Sequence, residues 1–223
     1  MRIALGQINS FMGDFSSNAD KILEWAQRAA DKHCDLIVFP ELSLFGYPPC
    51  DLLERDSVVE AQDKVLQKLA TKLPQDIACI FGFVGRNKKR GKHYFNSAAL
   101  VHKSKVKKIF NKQLLPVYDV FDDSRHFSSG EVKKNRFRLK GKNFQVLICE
   151  DMWGWDPVHE INPVKELDPK ETDFIINLSA SPFTEDKRHL RLQFAQKTAS
   201  YLKAPLVYVN MVGGQDEIIF DGG

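Results

Sequence analysis

The sequence predicts an α/β protein in which two β-sheets pack against each other and helices cover their outer faces. Segments with strand-like and helix-like patterns largely alternate along the chain, which is typical of α/β folds. Long strand-rich stretches with hairpin turns favour two sheets. The same pattern also allows a single doubly wound sheet. No internal repeat, low-complexity tract or linker divides the chain.

The first half of the chain combines short strands with two helices. A helix is predicted from Ser16, because its apolar positions share one face. A second helix is expected to open at Ser57, where Glu60 three residues later completes a capping box, and to stop before Pro74. Four strands are predicted around these helices: 2–8, 35–39, 77–84 and 94–101.

The second half repeats this alternation. Predicted strands lie at 105–110, 137–139, 144–148, 173–179 and 205–211. A helix is predicted from about Glu185 to Lys203. Its expected inward positions are Leu190, Phe194, Thr198, Tyr201 and Leu202. Near the end of the sequence, Gly213 and Gly214 are expected to form a turn.

Composition and charge exclude several classes of protein. The length of 223 residues fits one large domain. The chain has 32 basic and 29 acidic side chains, and its net charge of +3 gives no argument for nucleic acid as a partner. No apolar run approaches the roughly 20 residues of a membrane span. The first residues show a strand pattern and not that of a signal peptide.

The cysteines and histidines show no spacing that is typical of metal ligands. The four cysteines are scattered along the chain: Cys34, Cys50, Cys79 and Cys149. The six histidines form no paired-ligand motif. We therefore expect reduced thiols in a cytoplasmic protein and no metal site.

Three reactive side chains directly follow predicted strands. Glu41 comes after the strand 35–39, Lys112 after the strand 105–110, and Cys149 after the strand 144–148. Sites in α/β proteins are built at the carboxyl ends of strands, where the loops diverge. We therefore expect a carboxylate, an ammonium group and a thiol to meet at one rim.

These three groups suffice for cleavage of an amide bond. Glu41 can accept the Cys149 proton as the sulfur attacks a carbonyl carbon, and Lys112 can stabilise the resulting oxyanion. Taken singly, each residue has a structural interpretation: a solvated carboxylate, a surface lysine and an inert core thiol. A dyad of Cys149 with His126 or His159 is a further alternative.

The motifs that contain these residues carry a resemblance to a known family. FPELSLFGY, NKQLLPVYDVFDDSRHF and LICEDMW resemble the Glu–Lys–Cys motifs of the nitrilase, or carbon–nitrogen hydrolase, superfamily. ICEDMW, INLSASPF and VNMVGGQDEIIFDGG are similar to the N-terminal glutaminase domains of glutamine-dependent NAD synthetases. The likeness extends over residues 2 to 223.

The resemblance implies a fold, a reaction and a set of site residues. It implies a nitrilase-like αββα sandwich and hydrolysis of L-glutamine to glutamate and ammonia. Glu41 would be the proton acceptor, Lys112 the stabiliser of the oxyanion and the thiolate, and Cys149 the nucleophile. Substrate-binding roles fall on Tyr118, Ser181 and Lys187, and Arg188 competes with Lys187 for the last of these roles.

The resemblance also implies partners. No cofactor is expected in this domain, whereas ATP and Mg would serve a C-terminal NAD synthetase domain that uses the ammonia to convert deamido-NAD to NAD. The signature of that ATP-dependent domain is absent from the sequence, so the sandwich is expected to be truncated at its C-terminal end. Superfamily members commonly assemble as homo-oligomers, and we expect the same here.

One departure from the family pattern concerns Asp123. The family often has glutamate at this position, so a role for a second carboxylate stays open.

Two rival functions also stay open. One is a stand-alone amidase for another ω-amide or a carbamoyl compound, and the other is a catalytically silent docking domain. If Lys112 is catalytic, the sequence-based expectation is that Lys112→Ala lowers turnover without unfolding the protein.

Two basic runs, 87–93 and 103–108, have no assigned role in this scheme. We expect them to form a solvated hairpin face. A phosphate-binding patch or a contact with a partner subunit is the alternative, although no aromatic residues are interleaved for base stacking.

Overall fold

The computed structural model describes all residues from 1 to 223 and shows four layers, with two β-sheets between helices. The first sheet has the spatial order β1 to β5, with parallel pairing from β1 to β3 and antiparallel pairing from β3 to β5. Its strands are β1 (Ile3–Leu5), β2 (Leu36–Val38), β3 (Ala78–Arg86), β4 (Tyr94–His102) and β5 (Lys105–Asn111).

The second sheet has the order β6 to β9, with one antiparallel pair followed by two parallel pairs. Its strands are β6 (Arg136–Leu139), β7 (Lys142–Ile148), β8 (Phe174–Ser179) and β9 (Leu206–Asn210). Every strand predicted from the sequence is present, with ends that differ by a few residues. The expected two-sheet sandwich is confirmed, and the single doubly wound sheet is wrong.

The two sheets pack through alternate residues of their strands. In β2, Leu36 and Val38 face a core shared with Val146, Ile148 and other residues of the second sheet. Ile37 lies between them in sequence and contributes to a separate core beneath the helices. Because side chains alternate between the faces of a strand, a continuous apolar run such as β2 is buried on both sides.

Helices cover the outer faces of the two sheets. The four α-helices are α1 (Phe15–Asp31), α2 (Asp56–Lys72), α3 (Asp123–His126) and α4 (Lys187–Leu202). Side chains of α1 and α2 share a core with the outer face of the first sheet, and Phe194 and Leu202 of α4 pack on the second. None of these helices combines the length and the apolar character that crossing a bilayer requires.

The predicted start of α2 is wrong in detail. The helix begins at Asp56, its N-cap is Arg55, and no side chain caps it. Ser57 therefore lies inside the first turn, and the Ser57–Glu60 capping box is not formed. The neighbouring Asp56 accepts a hydrogen bond from the Tyr94 hydroxyl instead, which ties the helix start to β4.

The inward face of α4 also differs from the prediction. Phe194, Thr198 and Leu202 are buried as expected, whereas Leu190 and Tyr201 are each 39% exposed. Arg191 is buried, with only 6% of its surface exposed. The hydrophobic pattern predicted the wrong inward face for α4 because the helix buries a cation, Arg191, which such a pattern assigns to solvent.

The end of the chain forms a hairpin that the sequence pattern did not predict. Strand β10 (Val212–Gln215) pairs antiparallel with β11 (Ile218–Asp221). Gly213 and Gly214 therefore lie within a strand and not in a turn. The turn is formed by Asp216 and Glu217 between the two strands.

Candidate active site

Glu41 lies in the loop after β2 and is almost completely buried, at 1% exposure. This loop crosses directly over β3 at Gly82, where a Cβ would lie 2.0 Å from the Leu42 nitrogen and 2.6 Å from the Glu41 carbonyl carbon. Only glycine allows so close an approach of two backbones. Oε1 of Glu41 accepts a hydrogen bond from Asn96 at 2.7 Å, and Oε2 accepts one from the Ala180 N–H at 3.0 Å.

Lys112 follows β5 and is also 1% exposed. Its Nζ lies 2.7 Å from Glu41 Oε1 and 2.7 Å from Asp123 Oδ2. Burial alone would lower the pKa of Lys112, but Asp123 and Glu41 outweigh burial and hold the pKa well above its ordinary value. Lys112 is therefore a buried cation between two carboxylates. It is not a surface lysine.

Cys149 follows β7 at a sharp turn from the strand into a 3₁₀ helix, Cys149–Trp155. Its φ of 44° lies in the left-handed region, which costs a residue with a Cβ roughly 1–2 kcal/mol. Asn177 of β8 donates a hydrogen bond from Nδ2 to the Cys149 carbonyl oxygen at 3.3 Å. Ser179 donates to Asn177 Oδ1 at 2.6 Å, which fixes the orientation of that amide. Backbone strain of this kind is often found at functional sites.

The electrostatics of Cys149 favour the neutral thiol. Burial raises its pKa, the negative charge of Glu41 raises it further, and Lys112 opposes both effects without reversing them. The Ala180 N–H, which donates to Glu41, also lowers the pKa of the Cys149 thiol. A base must therefore remove the proton during attack, and Glu41 is the carboxylate whose charge acts most strongly on this thiol.

Tyr118 and Glu150 form a second group beside the thiol. The Tyr118 hydroxyl donates to Glu150 Oε1 at 2.5 Å, and the same oxygen lies 2.7 Å from His159 Nε2. Burial and the charge of Glu150 raise the pKa of Tyr118. His159 is thus paired with Glu150, and the charged groups that act most strongly on the pKa of Cys149 are Glu41, Lys112 and Glu150. This arrangement gives no support to a Cys–His dyad.

Ser181 is buried after β8 and is held on several sides. Its N–H donates to Asn210 Oδ1 at 2.8 Å, and its hydroxyl accepts from Arg191 Nε at 3.2 Å. Arg191 also donates to the Ser181 and Pro182 carbonyl oxygens, at 3.0 and 2.9 Å, and to Asp221 Oδ1 at 2.6 Å. The buried Arg191 thus fixes the segment that carries Ser181 to the terminal hairpin.

The structure separates Lys187 from Arg188. The Lys187 ammonium lies 5.1 Å from the ring centroid of Phe121 and 5.4 Å from that of Trp153. Burial lowers its pKa, while the nearby Cys149 and Glu150 raise it. Arg188 is exposed and lines a different cavity near the end of the chain. Of the two cations, Lys187 lies beside the thiol.

Sequence reasoning missed several residues of this site. Asn96, Asn177 and Arg191 hold Glu41, Cys149 and Ser181, respectively. Asp123, whose role was left open, is the second partner of Lys112. A polar residue inside a predicted core strand, such as Asn177 in FIINLS, is the one signal that could have indicated such contacts. The structure contains no cluster of three or more His, Cys, Asp or Glu side chains that could hold a metal ion.

The αββα sandwich with a carboxylate, an ammonium group and a thiol at its strand ends defines a nitrilase-like α/β protein. The sequence model of the carbon–nitrogen hydrolase family matches residues 2–223. The chain therefore belongs to the carbon–nitrogen hydrolase family.

The chain is similar to longer proteins of known function. It is 41% identical to the glutamine-dependent NAD(+) synthetase of Synechocystis sp. over 99% of this chain and 41% of that protein. It is also 41% identical to the glutamine-dependent NAD(+) synthetase of Acinetobacter baylyi, over 99% of this chain and 39% of that protein. The chain thus spans about two fifths of the length of these curated relatives.

Solved structures show the same fold. Glutamine-dependent NAD+ synthetase from Acinetobacter baumannii, in complex with ADP, superposes with a TM-score of 0.88 at 40% identity, over 99% of this chain and 40% of that chain. An amidase from Nesterenkonia sp. superposes with a TM-score of 0.82 at 23% identity, over 100% of this chain and 80% of that chain. At this identity the likeness to the amidase shows a common fold and nothing more.

Proposed function

We propose that this chain is a glutaminase domain that hydrolyses L-glutamine to glutamate and ammonia through a thioester on Cys149. The observation that carries the proposal is the buried contact of Lys112 with Glu41 beside the Cys149 thiol, in a chain 41% identical to glutamine-dependent NAD(+) synthetases. Glu41, Lys112 and Cys149 are the proposed catalytic residues.

The proposed reaction has two stages. In the first, the sulfur attacks the side-chain amide carbon while Glu41 takes the thiol proton, and the Lys112 ammonium stabilises the oxyanion. Glu41 then gives its proton to the leaving nitrogen, the C–N bond breaks, and ammonia leaves a thioester. In the second stage, Glu41 removes a proton from water as the water attacks the thioester, and glutamate departs as the proton returns to the sulfur. These steps draw only on side chains of this domain.

The charged end of the substrate is assigned to two half-buried residues, Tyr118 and Lys187, and to the buried Ser181. Tyr118 and Lys187 are half-buried, in contrast to the fully buried Glu41 and Lys112. The Lys187 ammonium suits the α-carboxylate of glutamine, and hydroxyl groups of Tyr118 and Ser181 suit its polar atoms. These three residues are the proposed substrate-binding set.

The ammonia is proposed to serve a synthetase domain. In that step an ATP- and Mg-dependent NAD synthetase domain would convert deamido-NAD to NAD. The relatives named as glutamine-dependent NAD(+) synthetases, of which this chain matches about two fifths, support this assignment. A cytoplasmic location and a homo-oligomeric assembly belong to the same proposal.

The direct test is ammonia release from L-glutamine by the purified chain, measured beside L-asparagine and a carbamoyl amino acid. We expect release from glutamine at a rate well above that from the other two compounds. Preferential release of ammonia from the carbamoyl compound or from another ω-amide would show that the chain is a different amidase and not a glutaminase. A folded protein that releases ammonia from none of them would contradict the proposal for this chain.

Substitution of Lys187 by methionine tests the binding assignment. We expect KM for glutamine to rise roughly 10- to 100-fold with a smaller change in kcat, because a charge-assisted hydrogen bond to the substrate is worth about 1.5–3 kcal/mol. Arg188→Met is the matched control, since that cation lines another cavity, and its KM should stay near the wild-type value. A raised KM in Arg188→Met with an unchanged KM in Lys187→Met would assign substrate binding to Arg188 instead.

The pH dependence of Cys149 alkylation tests the protonation state. Because burial and Glu41 raise the pKa of this thiol, the thiolate is the minor form at neutral pH. The rate of modification by iodoacetamide should therefore keep rising above the ordinary thiol pKa of about 8.5, when followed by peptide mass spectrometry. A rate that is already constant at neutral pH would show a thiolate at rest.

A further inference from the structure

Asp151 is a fully buried carboxylate two residues after Cys149 that takes no part in the proposed chemistry. Its Oδ1 accepts hydrogen bonds from the N–H groups of Gln113 and Leu114, both at 2.9 Å. Its Oδ2 accepts one from the Ile148 N–H at 3.0 Å. Burial raises the pKa of Asp151 to about 6, and these three N–H groups oppose that shift.

The three N–H donors lie within two residues of Lys112 or Cys149, whose separation matters for the proposed reaction. Gln113 directly follows Lys112, and Ile148 directly precedes Cys149. Lys112 is carried by the first sheet and Cys149 by the second, and no strand pairing joins the two sheets. One carboxylate thus links the backbone beside the ammonium to the backbone beside the sulfur, across the interface between the sheets.

We propose that Asp151 is a positioning residue that fixes the distance between the Lys112 ammonium and the Cys149 sulfur. The proposal rests on the proposed function. It also explains why two carboxylates follow the thiol: Asp151 is bound by backbone N–H groups, and Glu150 by Tyr118 and His159.

Asp151→Asn keeps the shape of the side chain but replaces one acceptor oxygen by a donor. We expect kcat to fall roughly 10- to 100-fold with KM within about threefold of wild type, because small errors in the position of reacting groups have effects of this size. Alkylation of Cys149 should slow as well, since the Lys112 ammonium would no longer be held where it favours the thiolate. Asp151→Glu retains the carboxylate at a different length and should show a smaller loss.

Asp173→Asn is the matched control, because Asp173 also accepts from a backbone N–H, that of Asn143, at a site away from the thiol. Wild-type kcat in a folded Asp151→Asn protein would overturn the proposal, even with a lowered Tm. If that variant does not fold, unchanged kcat in Asp151→Glu would overturn it. If the wild-type protein releases no ammonia, the proposed function fails, but the rate of Cys149 alkylation still tests the role of Asp151. Equal alkylation rates in wild type and Asp151→Asn would contradict that role.

A separate observation concerns the basic run 87–93. The turn between β3 and β4 and the segment 128–136 enclose an open cleft of about 1230 Å³. Nine of the chain's 32 basic side chains line it, with Glu131 as its single acidic residue. The lining therefore has a formal charge of +8, of which three carboxylates outside it, Asp63, Glu166 and Glu171, offset three charges.

Four of the nine cations have carboxylate partners: Arg86 pairs with Asp63, Lys133 with Glu166, Lys134 with Glu131, and Arg136 with Glu171. Lys108 of β5 donates to the Arg136 carbonyl oxygen instead. The exposed Lys88, Lys89, Arg90 and Lys92 have no ion-pair partner in the structure. These charges are mostly flexible ammonium groups, which act as point charges and do not form the fork of a dedicated phosphate site.

Size and lining indicate the kind of partner. The cleft exceeds the usual 300–1,000 Å³ of small-molecule pockets and lacks their apolar lining. Its aromatic residues, Phe95 and Phe127, are half-buried and buried, so the cleft has no exposed aromatic side chain of the kind on which bases stack. We infer that the cleft is a docking surface for an acidic segment of another protein, approached by electrostatic steering.

A fluorescent oligoglutamate peptide is the probe, with binding followed by anisotropy at several salt concentrations. Lys88→Glu/Lys89→Glu should weaken binding roughly tenfold or more. The matched control Lys64→Glu/Lys68→Glu changes the net charge equally on exposed positions of α2 and should have less than about a twofold effect. Equal losses, or no binding by wild type, would overturn the inference. Tighter binding of a single-stranded oligonucleotide in the same cleft would also overturn it.

Discussion

Cys149→Ala is expected to abolish ammonia release from glutamine. Without the sulfur no thioester forms, and loss of the nucleophile from a serine protease, which also works through an acyl-enzyme, lowers kcat by roughly a millionfold. The fold should survive, because the left-handed backbone at this position is held by Asn177 and not by the thiol. Measurement of ammonia from purified protein, with the substitution verified by mass spectrometry, checks this result.

Cys79→Ala is the matched control for that substitution. Cys79 is also completely buried, but it lies on β3 in the core beneath the helices. Burial alone raises the pKa of its thiol to about 12, whereas Cys149 also has Glu41 and Lys112 as charged neighbours, so Cys79 has neither a base nor a cation to activate it. We expect wild-type ammonia release from Cys79→Ala with a stability loss of about 1 kcal/mol. Near wild-type release by Cys149→Ala would rule out the nucleophile assignment.

The layered fold could be predicted because it follows from local patterns. A fully apolar strand such as β2 requires cover on both faces, and an amphipathic helix such as α1 requires a sheet beneath it. The approach of Glu41 to Lys112 could be expected for the same reason, since each directly follows a strand. These inferences use only neighbours in sequence and the geometry of a sheet.

Contacts between distant segments could not be predicted in this way. Arg191 looks like a solvent-facing cation in the helical pattern, yet its buried guanidinium makes five hydrogen bonds to residues after β8 and in the terminal hairpin. Asp123 reaches Lys112 through a loop whose path no periodicity specifies. Burial of a charge depends on partners that only the folded chain brings together.

Lys112→Ala is expected to lower both activity and stability. The sequence-based expectation of lowered turnover without unfolding does not take account of the burial of this lysine between Glu41 and Asp123. Removing one member of a buried ionic group leaves charge without a partner, which costs about 3–5 kcal/mol. For a chain of this length the Tm should fall by roughly 6–20 °C, as measured by differential scanning calorimetry. Reduced activity alone would therefore not distinguish a catalytic from a structural lysine.

A double substitution separates the two roles. Lys112→Met removes the charge at similar volume, and Lys112→Met/Asp123→Asn also removes one of the two carboxylates left without a partner. Glu41 keeps its hydrogen bonds from Asn96 and the Ala180 N–H in both variants. The double variant should therefore regain part of the lost Tm relative to Lys112→Met. Its ammonia release should stay as low as in Lys112→Met, because no ammonium remains to stabilise the oxyanion. Recovery of activity together with stability would show that Lys112 acts only as a structural counter-ion.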